Sequence, residues 1–127
     1  MLFSINPNDP RPVYLQLAIA VKEAVRLGQL RPGDSLPSVR ELAQALSINL
    51  HTARHAYQLL GEEGVIVLRL GSLARVAQVK IRPDMQEKTV ERMRELVADA
   101  FLNGMSPEQL RKTLEEILKA TTEIKGK

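Results

Sequence analysis

The residues best suited to chemistry lie within the stretch NLHTARHAYQLL, residues 49–60. At about 100° per residue, the polar side of such a helix collects His51, Arg54, His55 and Gln58. The opposite side is apolar and suits packing, since it carries Ala53, Ala56, Tyr57 and Leu60. Donors and acceptors of these types match the edges of base pairs, and the DNA major groove, about 12 Å wide, admits one helix. We therefore predict a helix that packs through one side and contacts DNA through the other.

The two histidines also allow a metal hypothesis, because His51 and His55 lie four residues apart. The sequence between them lacks the glutamate of the zinc-protease motif, and no third ligand follows nearby. No nucleophile–base pair, paired-carboxylate site or phosphate-cradling glycine loop is present either. We favour DNA contact over a metal site or a merely solvated surface, and predict no metal, no cofactor and no enzymatic activity.

Two helix starts surround this stretch. Ser38-Val39-Arg40-Glu41 matches a capping box, in which serine and glutamate satisfy the first backbone N–H groups of a helix. Asn49 is a good N-cap for the next helix and Gly64 a good stop. Two helices joined by so short a turn are typical of a helix-turn-helix, whose first helix lies across the DNA backbone. Arg40 is then placed to contact phosphate or a base.

Other elements flank this pair. An earlier helix is predicted between Pro12 and Gly28. The strand-like runs VIVLRL and LARVAQVKI flank Gly71 and predict a two-stranded wing. Pro83 and a second capping box at Ser106 open two amphipathic helices. The predicted fold is mainly α with a small β-hairpin: a winged helix-turn-helix domain over residues 1–80, followed by a two-helix tail over residues 81–127.

Composition narrows the class of protein. The 127 residues carry a net charge of +3 and no cysteine. Residues 1–80 hold nine basic against six acidic residues, whereas residues 81–127 hold nine of each, so the positive excess lies beside the predicted DNA-reading helix. No run approaches the roughly 20 apolar residues of a membrane span, and no secretory signal opens the chain. A cytoplasmic protein that does not cross a membrane is expected.

The segment PGDSLPSVRELAQALSINLHTARHAYQLLGEEGVI resembles the winged helix-turn-helix of the GntR superfamily of bacterial transcription regulators. That resemblance implies operator contacts by Arg40, Thr52 and Arg54, with Asn49 and His51 at the reading end. The wing reads RLGSLARV where the family has Arg-Gly-x-Gly-Thr-Phe-Val, so it either contacts DNA through its two arginines or packs on protein. The complete predicted DNA-binding set is Ser38, Arg40, Asn49, His51, Thr52, Arg54, His55, Arg69 and Arg75.

The tail is too short for a separate effector-binding core and resembles the dimerisation tail of the YtrA subfamily. Two amphipathic helices without a third layer leave apolar stripes uncovered, which also favours a homodimer. The prediction is a dimeric regulator, implied to be a repressor, on a palindromic double-stranded DNA operator whose half-sites lie about 34 Å apart. No residue identifies a small-molecule effector. The alternative, a winged-helix module for protein–protein interaction, is favoured by the apolar wing and the low net charge.

Overall fold

The computed structural model describes residues 3–121 and shows five helices and one two-stranded antiparallel sheet. The helices are α1 (Val13–Arg26), α2 (Val39–Leu46), α3 (Leu50–Glu62), α4 (Pro83–Leu102) and α5 (Pro107–Ala120). The strands are β1 (Ile66–Val67) and β2 (Arg75–Val76). The chain divides into two compact units, Met1–Gln78 and Val79–Lys127. The mainly helical fold class with a small hairpin is confirmed.

The turn between α2 and α3 is set by local chemistry. The Glu41 N–H donates to Ser38 Oγ and the Ser38 N–H to Glu41 Oε1, which confirms the predicted capping box. At the other end of α2, Ser47 adopts a left-handed φ of 55°, and the Ile48 N–H donates to the Ala43 carbonyl at 3.0 Å. This Schellman-type ending reverses the chain within three residues, after which Asn49 caps α3 as predicted.

The core of the first unit forms where α1 and α2 pack on α3. The packing side of α3 is the predicted one and is buried: Ala53, Ala56, Tyr57 and Leu60. The two alanines are fully buried at 0% exposure, and their small side chains let the neighbouring helices approach closely. Leu17 and Val21 from α1 and Leu42 from α2 complete this layer. The core therefore fixes the direction in which the opposite side of α3 faces.

An N-terminal arm is held against α1 by one buried amide. Gln16 Oε1 accepts from the Asn6 N–H and Gln16 Nε2 donates to the Arg11 carbonyl, both at 3.0 Å. Hydrogen bonds from the Arg11 guanidinium lower the pKa of Asp9 to about 2. Phe3 is buried in the core. These contacts order the described part of the arm. Helix α1 begins one residue later than predicted, since Pro12 is its N-cap.

The wing differs from its prediction in length. The sequence predicts strands of six and nine residues, but the ladder holds only the pairs Ile66–Val76 and Val67–Arg75. The second strand hydrogen-bonds through its other edge to the segment before α2. Ser35 forms a β-bridge with Arg75, and the Leu36 N–H donates to the Ala74 carbonyl at 2.8 Å. The base of the hairpin is therefore shared with the α1–α2 connector, while residues 68–73 form an open loop.

The second unit consists of α4 and α5, joined at a corner. Gly104 takes a φ of 82°, and Ser106 caps α5 in the predicted capping box. Within residues 83–120, Ala100 is the one buried apolar residue, and α5 buries none. The exposed large apolar side chains of the two helices are Val90, Met93, Leu96, Val97, Phe101, Leu102, Leu114, Ile117 and Leu118. Across residues 3–121, no helix combines the length and the apolar character needed to cross a membrane.

Candidate nucleic-acid interface

The polar side of α3 is open to solvent. His51, Arg54, His55 and Gln58 are all exposed, and Thr52 is half-buried beside them. Within residues 3–121, no carboxylate lies within ion-pair distance of Arg54. An exposed guanidinium keeps its five donors free, and the planar fork suits a guanine edge or a phosphate. The burial pattern thus confirms the two-sided character predicted for α3.

The start of α3 offers further donors. Asn49 Oδ1 accepts from the His51 N–H at 2.7 Å, which satisfies one of the free backbone groups of the first turn. The side-chain amide NH₂ of Asn49 is left as a donor. The remaining first-turn N–H groups point along the helix axis, where the helix dipole favours an anion. Phosphate is the anion that a DNA-reading helix meets at this end.

The start of α2 presents Arg40 in a similar state. Two carboxylates could have neutralised it, but both are engaged elsewhere. Glu41 accepts from the Ser38 N–H, and Glu63 pairs with Lys22 of α1 at 2.5 Å. No other acidic side chain in the described part of the chain pairs with Arg40. The Ser38 hydroxyl accepts from Glu41 and keeps its own proton to donate. These groups suit contact with the DNA backbone.

One contact at this surface is missing from the sequence-based prediction. The His55 ring stacks on Tyr14 of α1, with ring centroids 3.9 Å apart and an interplanar angle of 15°. The stack covers one face of the imidazole, while its nitrogens, which lie at the ring edge, stay accessible. His55 is therefore oriented by α1 rather than free to rotate.

The two wing arginines differ in their surroundings. Arg69 is exposed and has no carboxylate partner among residues 3–121. Arg75 Nη1 donates to the Gly33 carbonyl at 2.9 Å, so this side chain ties the wing to the α1–α2 connector. Arg75 remains exposed and keeps its other donors. The sequence left open whether the wing contacts DNA through these two arginines or packs on protein, and the structure adds a bracing role for Arg75.

The structure brings no third candidate metal ligand to His51 and His55 within residues 3–121. In the described part of the chain, no three side chains of the His, Cys, Asp and Glu types converge into a group that could hold an ion. Among residues 3–121, no carboxylate pairs with His51, and one face of the His55 ring is covered by Tyr14.

Comparison with known proteins decides the family. Residues 13–76 match the bacterial regulatory proteins of the gntR family. The chain belongs to the GntR family. The matched residues span α1 to β2, so they include the helix-turn-helix and the base of the wing.

Some relatives of this GntR-family chain match most of its length. It is 31% identical, over 98% of its own length and 96% of the relative's, to the HTH-type transcriptional repressor YtrA of Bacillus subtilis. A solved structure from Listeria monocytogenes, described as a transcriptional antiterminator, superimposes with a TM-score of 0.83 at 28% identity and covers 93% of both chains. The GntR-family factor YtrA of Sulfolobus acidocaldarius superimposes with a TM-score of 0.61 at 33% identity, over 73% of this chain and 97% of that one.

Family membership and the open polar side of α3 lead to the same activity. This GntR-family chain is a DNA-binding regulator of transcription. Its helix-turn-helix is the part that the sequence predicted for that role.

Proposed function

We propose that the protein is a homodimeric repressor that binds a palindromic operator and reads it with α3. One observation carries the proposal: α3 buries its apolar side in the core and leaves Arg54 exposed, with no carboxylate partner among residues 3–121. A helix of this kind, presented by a fixed turn, fits the major groove. The repressor assignment is supported by the name of the Bacillus subtilis relative, which the chain matches almost end to end.

The proposed contacts fall into three groups. Arg54, His51, His55 and Thr52 on α3 contact base edges. Ser38, Arg40 and Asn49 contact phosphates next to the helix starts. Arg69 and Arg75 place the positive charge of the wing against the neighbouring backbone. The bound state needs no metal or cofactor in this scheme, and no catalytic step is proposed.

The proposed dimer is supported by the second unit. Its two helices expose nine large apolar side chains and enclose no core of their own, and exposed apolar surface of this extent marks an interaction site. A two-fold symmetric pair would present two copies of α3 at a spacing of about 34 Å, one helical turn of DNA. Because the partner of such a regulator is chromosomal DNA, we place the protein in the cytoplasm.

Selection of binding sites tests the proposal. The wild-type protein is incubated with a random duplex pool, and the enriched duplex is used to measure affinity. Arg54→Ala should weaken binding by about 1–3 kcal/mol and relax the preference at one base pair. Arg92→Ala removes the same charge from the exposed surface of α4 and is the matched control. Equal affinity and equal selectivity for wild type and Arg54→Ala would refute the proposed reading role.

A salt titration separates phosphate contacts from base contacts. Replacing Arg40 by alanine should weaken binding to all duplexes alike and lower the slope of log affinity against log salt by about 1. Arg54→Ala should instead act mainly on the selected sequence. If Arg40→Ala changes the base preference and leaves the salt slope unchanged, Arg40 contacts a base and its assignment to a phosphate is wrong.

The apolar wing favours a second candidate function, in which the winged helix binds another protein. Leu68, Leu70 and Leu73 are all exposed. A module that binds only protein would show no salt-sensitive retention on random duplex DNA at low ionic strength. A DNA-binding regulator should be retained and should elute as salt is raised.

A further inference from the structure

The tip of the wing carries an unusual side chain. Leu70 is 106% exposed, the highest value for any large apolar residue between residues 3 and 121. It sits in a β-turn in which the Ser72 N–H donates to the Arg69 carbonyl at 3.3 Å and Gly71 takes a φ of 77°. No described residue of the first unit covers it. A fully solvated leucine is stabilised by removal from water when a partner covers it.

The base of the wing holds this tip in place. The Gly33 N–H donates to the Val76 carbonyl and the Leu36 N–H to the Ala74 carbonyl, both at 2.8 Å. Leu68 lies so close to Gly61 of α3 that a Cβ there would stand 3.0 Å from Leu68 Cδ1. The hairpin is therefore braced on both sides up to residue 68. Leu70 therefore lies at the tip of an open loop whose base is supported.

The charge around the tip indicates the class of partner. Residues 64–78 contain Arg69 and Arg75 and no acidic residue. An apolar tip flanked by positive charges fits a partner whose outer rim is anionic and whose interior is apolar. The minor groove of a duplex offers both surfaces, since phosphates line its edges and apolar side chains can enter between its base steps.

The position of the tip relative to α2 favours DNA as well. A groove of about 290 Å³ runs between the start of α2 and the wing. Ser38 and Val39 line one wall, and Arg69, Leu70 and Leu73 line the other. The wing tip is therefore continuous with the surface proposed to contact phosphates. A DNA strand lying along the start of α2 would have the major groove on the α3 side and the minor groove on its other side, which is the side on which the wing tip would lie.

We propose that Leu70 enters the operator minor groove as an apolar wedge and partly unstacks one base step. This inference rests on the proposed function. Pyrimidine–purine steps unstack at the lowest cost, so a wedge selects for such a step without any hydrogen bond to it. Leu70 would then be a specificity-determining residue that acts through DNA deformation. Arg69 beside it would hold the flanking phosphate.

Site selection from a random duplex pool tests the wedge directly. Wild-type protein should enrich a TA or CA step at a fixed distance outside the bases read by α3, and Leu70→Ala should lose that enrichment while keeping the α3 bases. Leu73→Ala is the matched control, because it removes the same chemistry from the same hairpin away from the tip. Equal enrichment with wild type and Leu70→Ala, or equal loss with Leu73→Ala, overturns the proposal.

A second measurement reports the step itself. The selected duplex carries 2-aminopurine at the enriched step, whose fluorescence rises on unstacking. The fluorescence should rise with wild type and not with Leu70→Ala. The affinity of Leu70→Ala for the duplex should be about tenfold lower than that of wild type. The slope of log affinity against log salt should be unchanged, because leucine displaces no counterion. No fluorescence change with wild type overturns the wedge. So does a Leu70-dependent affinity for anionic phospholipid vesicles without any effect on DNA.

The two proposals fail in different ways. If wild-type protein shows no salt-sensitive affinity for any duplex, the proposed function fails and the wedge fails with it. If wild type binds and Arg54→Ala weakens the complex, while Leu70→Ala leaves unstacking and step preference unchanged, only the wedge fails. Leu70→Ala should unfold at the same temperature as wild type, since the side chain packs on nothing in the first unit.

Discussion

Tyr57 links the core to the start of α2 through a single hydroxyl. Its ring is 3% exposed between α3 and its neighbours, and its hydroxyl donates to the Pro37 carbonyl at 2.7 Å. Burial raises the pKa of this hydroxyl, so it stays protonated and remains a donor. Pro37 immediately precedes the cap of α2, and the bond therefore helps to fix where that helix begins.

Replacing Tyr57 by phenylalanine should lower the free energy of unfolding by about 1–2 kcal/mol, because the partly buried Pro37 carbonyl loses its donor. Urea denaturation monitored by circular dichroism measures the change. Tyr14→Phe is the matched control, since the Tyr14 hydroxyl makes no hydrogen bond within residues 3–121. The two variants should differ clearly. A loss of the same size in both would show that the Tyr57 bond has no special role.

The stack between Tyr14 and His55 leads to a prediction about selectivity. Stacking holds the imidazole in one orientation and contributes about 0.5–1.5 kcal/mol. Tyr14→Leu should release the ring and reduce preference at the base that His55 contacts, whereas Tyr14→Phe should retain it. Binding to a panel of single-base operator variants measures both. If Tyr14→Leu and His55→Ala affect different base pairs, the positioning role is wrong.

Side chains that act locally were predictable, and those that act across the fold were not. Ser38, Asn49 and Ser106 were identified as caps because the groups they satisfy lie within three residues. Gln16 and Tyr14 were not identified. The partners of Gln16 lie in the arm, and the partner of Tyr14 lies on α3. Such pairs depend on how the elements pack, which periodicity along one helix does not specify.

At the scale of elements, the turn between α2 and α3 contains one strained residue. Ser47 has a φ of 55° and is the only non-glycine residue with positive φ between residues 3 and 121. The conformation costs an L-residue roughly 1 kcal/mol relative to glycine. The helix-turn-helix keeps it because the left-handed residue lets the chain reverse with only three residues between α2 and α3.

Ser47→Gly should therefore raise the free energy of unfolding by roughly 0.5–1 kcal/mol, since glycine adopts this φ without a Cβ clash. The gain is reduced by the extra freedom of glycine in the unfolded chain. Ser72→Gly is the contrasting control, because Ser72 lies in a turn without a positive φ and should be slightly destabilised. Chemical denaturation of both variants gives the sign of the change in the free energy of unfolding. A loss of stability in Ser47→Gly would show that the backbone of Ser47 is not strained.

The wing shows why strand length was overestimated. The apolar runs around Gly71 predict long strands, since valine, isoleucine and leucine favour the pleated conformation. The ladder holds two pairs, while the other edge of β2 is used by the segment before α2, where Ser35 bridges Arg75 and the Leu36 N–H donates to the Ala74 carbonyl. Composition indicates that a segment is extended, but it does not reveal which neighbour takes its hydrogen bonds.

At the scale of the whole molecule, the two units differ in how they are stabilised. The first unit has a core of sixteen buried apolar residues, whereas α5 buries none of its own. Isolated helices of this length are marginal in water. The capping box at Ser106 and the helix-favouring composition support α5 locally, but its apolar stripe requires a partner to be covered. The proposed second copy supplies that partner and doubles the number of DNA-reading helices.

The last prediction tests this coupling of assembly to DNA binding. Leu114 and Ile117 share the apolar stripe of α5. The double variant Leu114→Ser/Ile117→Ser should raise the dimer dissociation constant by about a hundredfold or more. The effect is large because each change occurs twice in a symmetric interface. Lys112→Ser with Glu115→Ser alters the opposite face at no change in net charge and is the control. Sedimentation measures assembly, and the first double variant should bind an isolated half-site like wild type while losing its advantage on the palindrome. A dimer that survives the apolar changes would place the interface elsewhere, and loss of half-site binding would mean that the variant is unfolded.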